Sequence, residues 1–171
     1  MAWFNRRARD DEEPEASSQA GASPFRTSDV DDEEELPLHP IGRRLGAVET
    51  ERIAASVQQL DAAGIDLDDL DALGAAYDEA YRAWESGEAT EGHDQIVERF
   101  AIGIGEHLNR HTDLSWQVVT DAFGTDLAVS GGGRGDFVVV PTNLVAVRWM
   151  KRETGWVPGV VGHLVARRSR R

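Results

Sequence analysis

Hydrophobic residues recur at every fourth position within residues 95–111, and this spacing predicts an amphipathic helix. Ile96, Phe100, Ile104 and Leu108 form the stripe. Residues four apart lie on the same face of a helix, so the stripe marks a buried face. We expect the core of the domain to form around this helix.

After this helix the period changes to the alternation of apolar and polar residues that is typical of strands. Residues 114–119 alternate around Trp116, and a second alternating segment contains Leu127 and Val129. Residues 137–140 are all apolar, which predicts a strand that is central or covered on both faces. Turn residues separate the segments, so the pattern predicts a three-stranded antiparallel meander.

Two helices are predicted before this region. Residues 46–63 space their apolar positions about four apart, and Gly64 is a suitable end. A second, strongly patterned helix follows, with Asp66 or Asp68 as its N-cap and Gly87 at its end.

Two further elements are predicted after the sheet. Residues 144–152 favour a helix capped by Thr142 or Asn143 and ended by Gly155. A strand is the alternative, because apolar residues also alternate there. Residues 157–166 form a short apolar element, helix or strand, and a proline at its second position is acceptable at a helix start. If residues 144–152 are helical, their apolar face consists of three residues: Leu144, Val147 and Met150.

The pattern as a whole predicts an α+β fold: N-terminal helices, a small three-stranded antiparallel sheet, and one or two C-terminal helices. Residues 40–166 form the predicted single domain. Residues 1–39 are predicted to be a disordered acidic tail, because acidic runs and linker composition leave few apolar groups to offset the entropy of ordering. Residues 167–171 form a predicted basic tail.

Charge narrows the class of partner. The chain of 171 residues has a formal net charge of −13, and its positive charge is concentrated after residue 148. An acidic body repels phosphate, which argues against nucleic acid and favours a protein partner. No apolar run is long enough to span a membrane, although Trp3 and Phe4 beside arginines offer a weak contact with a membrane surface. The absence of cysteine excludes disulfides and thiolate metal sites and fits a cytoplasmic location.

His107 and His111 are weak candidates for a metal site, since histidines four apart on a helix can ligate zinc. Glu106 precedes His107, whereas the zinc-peptidase pattern needs the glutamate directly after the first histidine. Arg110 also opposes a cation. We therefore predict no metal and no cofactor, and we interpret both histidines as residues of a helix end.

A second set of polar residues supports a ligand-binding or hydrolytic alternative. Glu106, His107, Asp121 and Asp126 would form a polar site between the third helix and the sheet. The two aspartates also suit turns, because their side chains bond to nearby backbone amides. The glycine-rich run 131–135 precedes a strand and not a helix, so we interpret it as a hairpin connection and not a phosphate loop.

The C-terminal half resembles small bacterial domains of unknown function, in which a Gly-Glu-x-Leu helix leads into a Trp-containing strand and a Pro-x-Asn segment. Residues 70–165 carry the resemblance, and the composition is similar to that of actinobacterial proteins. The resemblance implies an α+β domain and no catalytic residue. The matching motifs are Gly105-Glu106-His107-Leu108, Trp116-Gln117-Val118 and Pro141-Thr142-Asn143.

No nucleophile or base constellation is recognisable in the sequence. We therefore predict a cytoplasmic, non-enzymatic interaction or regulatory domain. The alternatives are the ligand-binding or hydrolytic domain described above, and a peripheral membrane adaptor acting through Trp3 and Phe4.

Overall fold

The computed structural model describes residues 40–131 and 137–169, all of which belong to one compact unit. Four strands are described: β1 (Ile41–Arg43), β2 (Ser115–Asp121), β3 (Gly124–Gly131) and β4 (Phe137–Val139). Five helices are described: α1 (Ala47–Ala62), α2 (Leu70–Glu85), α3 (His93–His111), α4 (Pro141–Met150) and α5 (Val157–Arg168). The predicted α+β class is confirmed, with four strands and not three, because β1 joins the sheet.

Some predictions lie outside the described residues. These are the disordered tail 1–39 with Trp3 and Phe4, residues 132–135 of the glycine-rich run, and residues 170–171 of the basic tail.

The strands pair antiparallel in the order β1-β2-β3-β4. β2 and β3 are joined by a turn at Ala122 and Phe123, and Trp116 lies opposite Val129. β4 lies at one edge of the sheet and its residues are half-buried. The prediction of a central or doubly covered strand is therefore wrong. Phe137 is covered by the guanidinium of Arg168, 5.2 Å from its ring centre, and not by a further strand.

The larger part of the core forms where α3 packs against α2, α4 and α5. A smaller cluster lies where α1 and α3 pack against one face of the sheet. Ile102 of α3 and Ile53 of α1 pack with Val118 and Leu127. Trp116 approaches α3 so closely that a Cβ atom at residue 105 would collide with its ring. Gly105 is therefore required by packing, as its place in the motif predicts. Burial of such apolar surface is the main stabilising term, at about 25 cal/mol per Å².

The start of α2 differs from the prediction by one to three residues. Asp69 is the N-cap, and its Oδ1 accepts from the backbone N–H of Asp71 (2.9 Å) and Ala72 (3.2 Å). Asp66 instead accepts from the backbone N–H of Asp68 (2.8 Å) and shapes the preceding turn. Asp68 bonds to side chains of α3, so neither aspartate is free to cap.

Residues 141–150 are helical, as favoured, but the predicted caps are wrong, and of the predicted buried face only Leu144 packs against the core. Val140 is the N-cap and Pro141 occupies the first turn, where its missing N–H costs nothing. Val145 and Trp149 are the buried residues on the α4 turns that follow. The apolar residues of α4 itself lie on most sides of the helix, so their spacing alone does not identify the buried face. Val147 and Met150, by contrast, are 41% and 75% exposed.

Residues 157–168 are helical and extend past the predicted domain end, so Arg167 and Arg168 belong to α5. Arg168 forms a two-point ion pair with Asp113, with Nε–Oδ1 at 3.0 Å and Nη2–Oδ2 at 2.8 Å. The backbone N–H of Asp113 also donates to the carbonyl of Arg168 (3.2 Å). This clasp ties the last turn of α5 to the loop before β2. Within the described ranges, no helix is both long and apolar enough to cross a membrane.

Candidate functional site

The candidate histidines belong to a group of polar side chains where the end of α3 meets the start of α2. We call this group the histidine cluster; it comprises Asp68, Glu106, His107, Arg110 and His111. His107 is buried, and its Nδ1–H donates to the carbonyl of Leu67 (2.7 Å). The rings of His107 and His111 lie 4.4 Å apart. Both rings thus hold the start of α2 against the end of α3.

Asp68 is the anion of this cluster. Its Oδ1 lies 3.1 Å from Nε2 of His111 and 3.3 Å from Nη1 of Arg110. The hydrogen bond from His111, aided by that from Arg110 and partly opposed by burial, holds the pKa of Asp68 below its usual range. Burial, in contrast, lowers the pKa of His107 and favours its neutral form. The pair of histidines is therefore built around one neutral buried ring.

Glu106 points toward the sheet, but its carboxylate is already bonded. It accepts from the indole N–H of Trp116 (3.0 Å) and from Nε of Arg110 (2.9 Å). Both carboxylate oxygens of Glu106 are thus engaged by donors within the fold. Glu106 therefore orients the core tryptophan of β2.

The two candidate aspartates lie at the far end of the β2–β3 hairpin. Asp121 accepts from the backbone N–H of Phe123 (2.8 Å) and shapes the turn, while Asp126 lies opposite Val119 in the sheet. Asp121 is five residues along β2 from Trp116, a distance of about 17 Å at the usual rise of a strand. The structure thus places Glu106 and His107 on different sides of α3 and both aspartates away from them.

The two candidate metal ligands, His107 and His111, also make hydrogen-bonding contacts within the fold. Nδ1 of His107 is bonded to a backbone carbonyl, and Nε2 of His111 faces Asp68. In the part of the chain that the structure describes, no three His, Asp, Glu or Cys side chains are grouped to hold a metal ion.

A groove of about 550 Å³ lies elsewhere, where the ends of α2 and α4 meet the start of α3. We call it the aromatic groove. Trp84 and Met150, which line it, are 38% and 75% exposed. Such large apolar side chains at one concave place are typical of binding sites. Seven residues line the groove: Tyr81, Trp84, Glu85, His93, Trp149, Met150 and Arg152.

The wall of the groove is a set of inclined rings. Trp149 meets Tyr81 edge to face, with ring centres 4.9 Å apart, and lies 5.2 Å from Trp84. Trp84 also lies 6.0 Å from His93 of α3. Burial, aided by the nearby charge of Glu85, raises the pKa of Tyr81 and keeps its hydroxyl neutral. These ring contacts fix the shape of the wall.

The interior behind this wall carries donors that are not fully used. Buried side-chain atoms without a hydrogen-bond partner, counted over residues 40–131 and 137–169, are four: Tyr77 Oη, Arg148 Nε, Trp149 Nε1 and Trp156 Nε1. All four residues are neighbours, since Tyr77 contacts both tryptophan rings and the Arg148 guanidinium lies 4.5 Å from the Trp156 ring centre. Buried polar groups in native proteins are normally paired, so this region is less internally satisfied than the histidine cluster.

The rim of the groove carries two exposed cations on one side, Lys151 and Arg152. Arg148 is half-buried over the ring of Trp156, and the exposed Glu153 follows Arg152 in the chain. Arg152 Nη1 lies 3.6 Å from Glu85 Oε1, with 78% of the arginine side chain exposed. An ion pair this exposed contributes little stability, so both cations remain accessible.

Sequence reasoning missed this groove. Met150 is part of an apolar face predicted to be buried, Trp84 continues the apolar spacing of α2, and the lining residues come from three segments far apart in the chain. The crowding of tryptophan and basic residues within 148–156 is the signal that pointed nearest to it.

Residues 76–159 match the model of a family described as a domain of unknown function (DUF3806). This match confirms the predicted resemblance to a domain of unknown function, and it includes every residue that lines the aromatic groove. Comparison with curated proteins and with solved structures gave no match.

Proposed function

We propose that the domain is a non-enzymatic, cytoplasmic protein-interaction module, and that the aromatic groove binds a segment of a partner protein. The bound segment would place an apolar side chain on Trp84 and Met150 and a carboxylate beside Lys151 and Arg152. The observation that carries this proposal is the joint exposure of Trp84 and Met150 at one concave surface.

The apolar part of the interface supplies the affinity. Trp84 and Met150 expose apolar surface that a partner can cover, and full burial of a side chain of this kind is worth about 1.5–3 kcal/mol. Tryptophans set in well-packed surroundings dominate the binding energy of many interfaces. The rings of Tyr81 and Trp149 support Trp84 from behind, so little side-chain entropy is lost on binding.

The charge of the rim selects the partner. Lys151 and Arg152 are exposed beside the apolar surface, whereas Glu85 is the carboxylate among the groove-lining residues. The remainder of the chain is acidic, but charges more than about 8–10 Å away are largely screened at physiological salt. A carboxylate next to an apolar side chain is therefore the chemistry that fits this rim.

The polar residues of the histidine cluster do not favour an enzyme. Glu106 and His107 are each committed to a structural hydrogen bond. Asp121 and Asp126 lie at the hairpin end. A hydrolytic site needs these groups within reach of one reacting atom, so the groove supports binding better than the cluster supports catalysis.

The proposal is tested by fluorescence anisotropy with a fluorescein-labelled peptide, Gly-Glu-Phe-Glu-Gly, titrated with the full chain. We expect saturable binding, and we expect Trp84→Ala to weaken it about thirtyfold, as for an interface hot spot. Met150→Ala should weaken binding about threefold, since it removes part of one exposed side chain.

Phe123→Ala provides the matched control, because Phe123 is 94% exposed at the hairpin tip and does not line the groove. A second control is the peptide Gly-Glu-Ala-Glu-Gly, which lacks the apolar side chain and should bind weakly. Equal binding by Trp84→Ala and the unchanged protein, with both variants folded by circular dichroism, would refute the proposal.

A further inference from the structure

Three helices of the domain end with the same pair of backbone hydrogen bonds. After α1, the N–H groups of residues 64 and 65 donate to Asp61 (2.9 Å) and Leu60 (3.0 Å). After α2, residues 87 and 88 donate to Trp84 (3.1 Å) and Ala83 (2.9 Å). After α4, residues 152 and 153 donate to Trp149 (3.0 Å) and Arg148 (2.9 Å). This double bond is the Schellman motif of helix ends.

The residue at the centre of the motif differs. Gly64 and Gly87 occupy it after α1 and α2, with φ of 75° and 79°. Arg152 occupies it after α4, with φ of 58°, and is the one non-glycine residue of the described ranges with positive φ. Glycine is preferred here because a Cβ atom in the left-handed conformation clashes with the backbone. An arginine at this position is therefore strained.

The strained residue is also the one that presents its side chain to the aromatic groove. The two backbone bonds fix the Cα atom of Arg152 at the rim, and its guanidinium stays 78% exposed. The carboxylate of Glu85 lies 3.6 Å away, beyond the distance of a strong charged hydrogen bond. Strained backbone conformations cluster at functional sites.

We propose that Arg152 is the specificity-determining residue of the groove: it binds the carboxylate of the partner segment, at the expense of a strained helix end. The inference rests on the proposed function of the groove. The guanidinium of Arg152 can offer two parallel N–H donors to a carboxylate, which a lysine cannot. Lys151 beside it supplies charge without this geometry.

The test combines stability and binding in one set of variants. Arg152→Gly removes both the strain and the guanidinium, so we expect its Tm to rise by about 3 °C. The same variant should bind the Gly-Glu-Phe-Glu-Gly probe about tenfold more weakly. Arg152→Gln keeps the strain and should lose the same affinity with Tm unchanged. Arg152→Lys keeps the charge but lacks the two parallel donors, so it should also weaken binding of the probe. Arg167→Gln, on α5, controls for loss of one positive charge.

A probe with glutamines, Gly-Gln-Phe-Gln-Gly, shows whether the carboxylate is what Arg152 recognises. The unchanged protein should bind it more weakly, and Arg152→Gly should bind it as the unchanged protein does. Undiminished binding of the glutamate probe by Arg152→Gly, or an equal loss for both probes, overturns the role of Arg152. A Tm that does not rise refutes the strain. If Trp84→Ala still weakens binding in those cases, the groove stands and only the inference on Arg152 fails.

Discussion

The histidine cluster and the aromatic groove lie at opposite ends of α2 and differ in what they leave unsatisfied. In the cluster each of the named polar groups is bonded, with His107 to Leu67, His111 to Asp68 and Glu106 to Trp116. In the groove, large apolar side chains are exposed and buried donors lie unpaired behind them. The cluster holds residue types that are common in catalysis, yet their side chains are hydrogen-bonded within the fold. Exposed apolar surface without a partner in the fold is the better guide to a binding site.

The largest expected effect comes from removing the centre of the cluster. His107→Ala should lower the free energy of unfolding by about 2–4 kcal/mol, because it leaves a cavity and an unpaired carbonyl at Leu67. Urea unfolding followed by circular dichroism measures the change. His163→Ala, at an exposed histidine of α5, should change stability by no more than about 0.5 kcal/mol. Similar values for the two variants would mean that the cluster is not structural.

The second effect is a pH dependence of stability that originates in the cluster. Burial lowers the pKa of His107, next to Asp68, Arg110 and His111, from its usual value of 6.5. Above that pH, the His107 ring is neutral in both the folded and the unfolded chain, and no stability is lost. Below it, His107 binds a proton in the unfolded chain but stays neutral in the folded protein. Stability therefore falls as pH drops from 6.5 toward the lowered pKa, by at most about 1.4 kcal/mol per pH unit.

Unfolding midpoints at pH 7.5 and pH 5 measure this slope. His107→Gln should flatten it, whereas His163→Gln should leave it unchanged. The pKa of Asp68 is also lowered, but there it is the charged form that the fold stabilises. Its contribution to the free energy of unfolding therefore persists down to its usual pKa of 3.8 and is lost below that pH. The interval between pH 6.5 and about 4.5 thus reports on His107. An unchanged slope in His107→Gln contradicts the assignment.

The smallest effect is expected at the groove. Met150→Ala should change the free energy of unfolding by less than about 0.5 kcal/mol, because the side chain is 75% exposed. The same variant weakens probe binding, as proposed above. A stability loss comparable with that of His107→Ala would show that Met150 belongs to the core, and the contrast between the two regions would disappear.

The helices and the hairpin were predictable because their periodicity is long and regular, as for the stripe of α3. β1 was not, since three exposed residues at a sheet edge give no alternation. The buried face of α4 was not predictable either, because apolar residues occur on most of its sides and only the position of α3 decides that Val145 and Trp149 face inward. The cluster residues were found by type but not by role. The groove depends on which apolar residues stay exposed, and tertiary packing decides that.

The clasp between Asp113 and Arg168 can form only after the last turn of α5 has been synthesised. Its two partners are 55 residues apart in the chain. The sheet and α3 leave the ribosome first, but the last turn of α5 must follow before the loop preceding β2 is held from both sides. Val157 and Val161 of α5 also complete the core around α2 and α3. We therefore expect nascent chains stalled before α5 to stay sensitive to protease and to become resistant once Val157 and Val161 of α5 are available to complete the core.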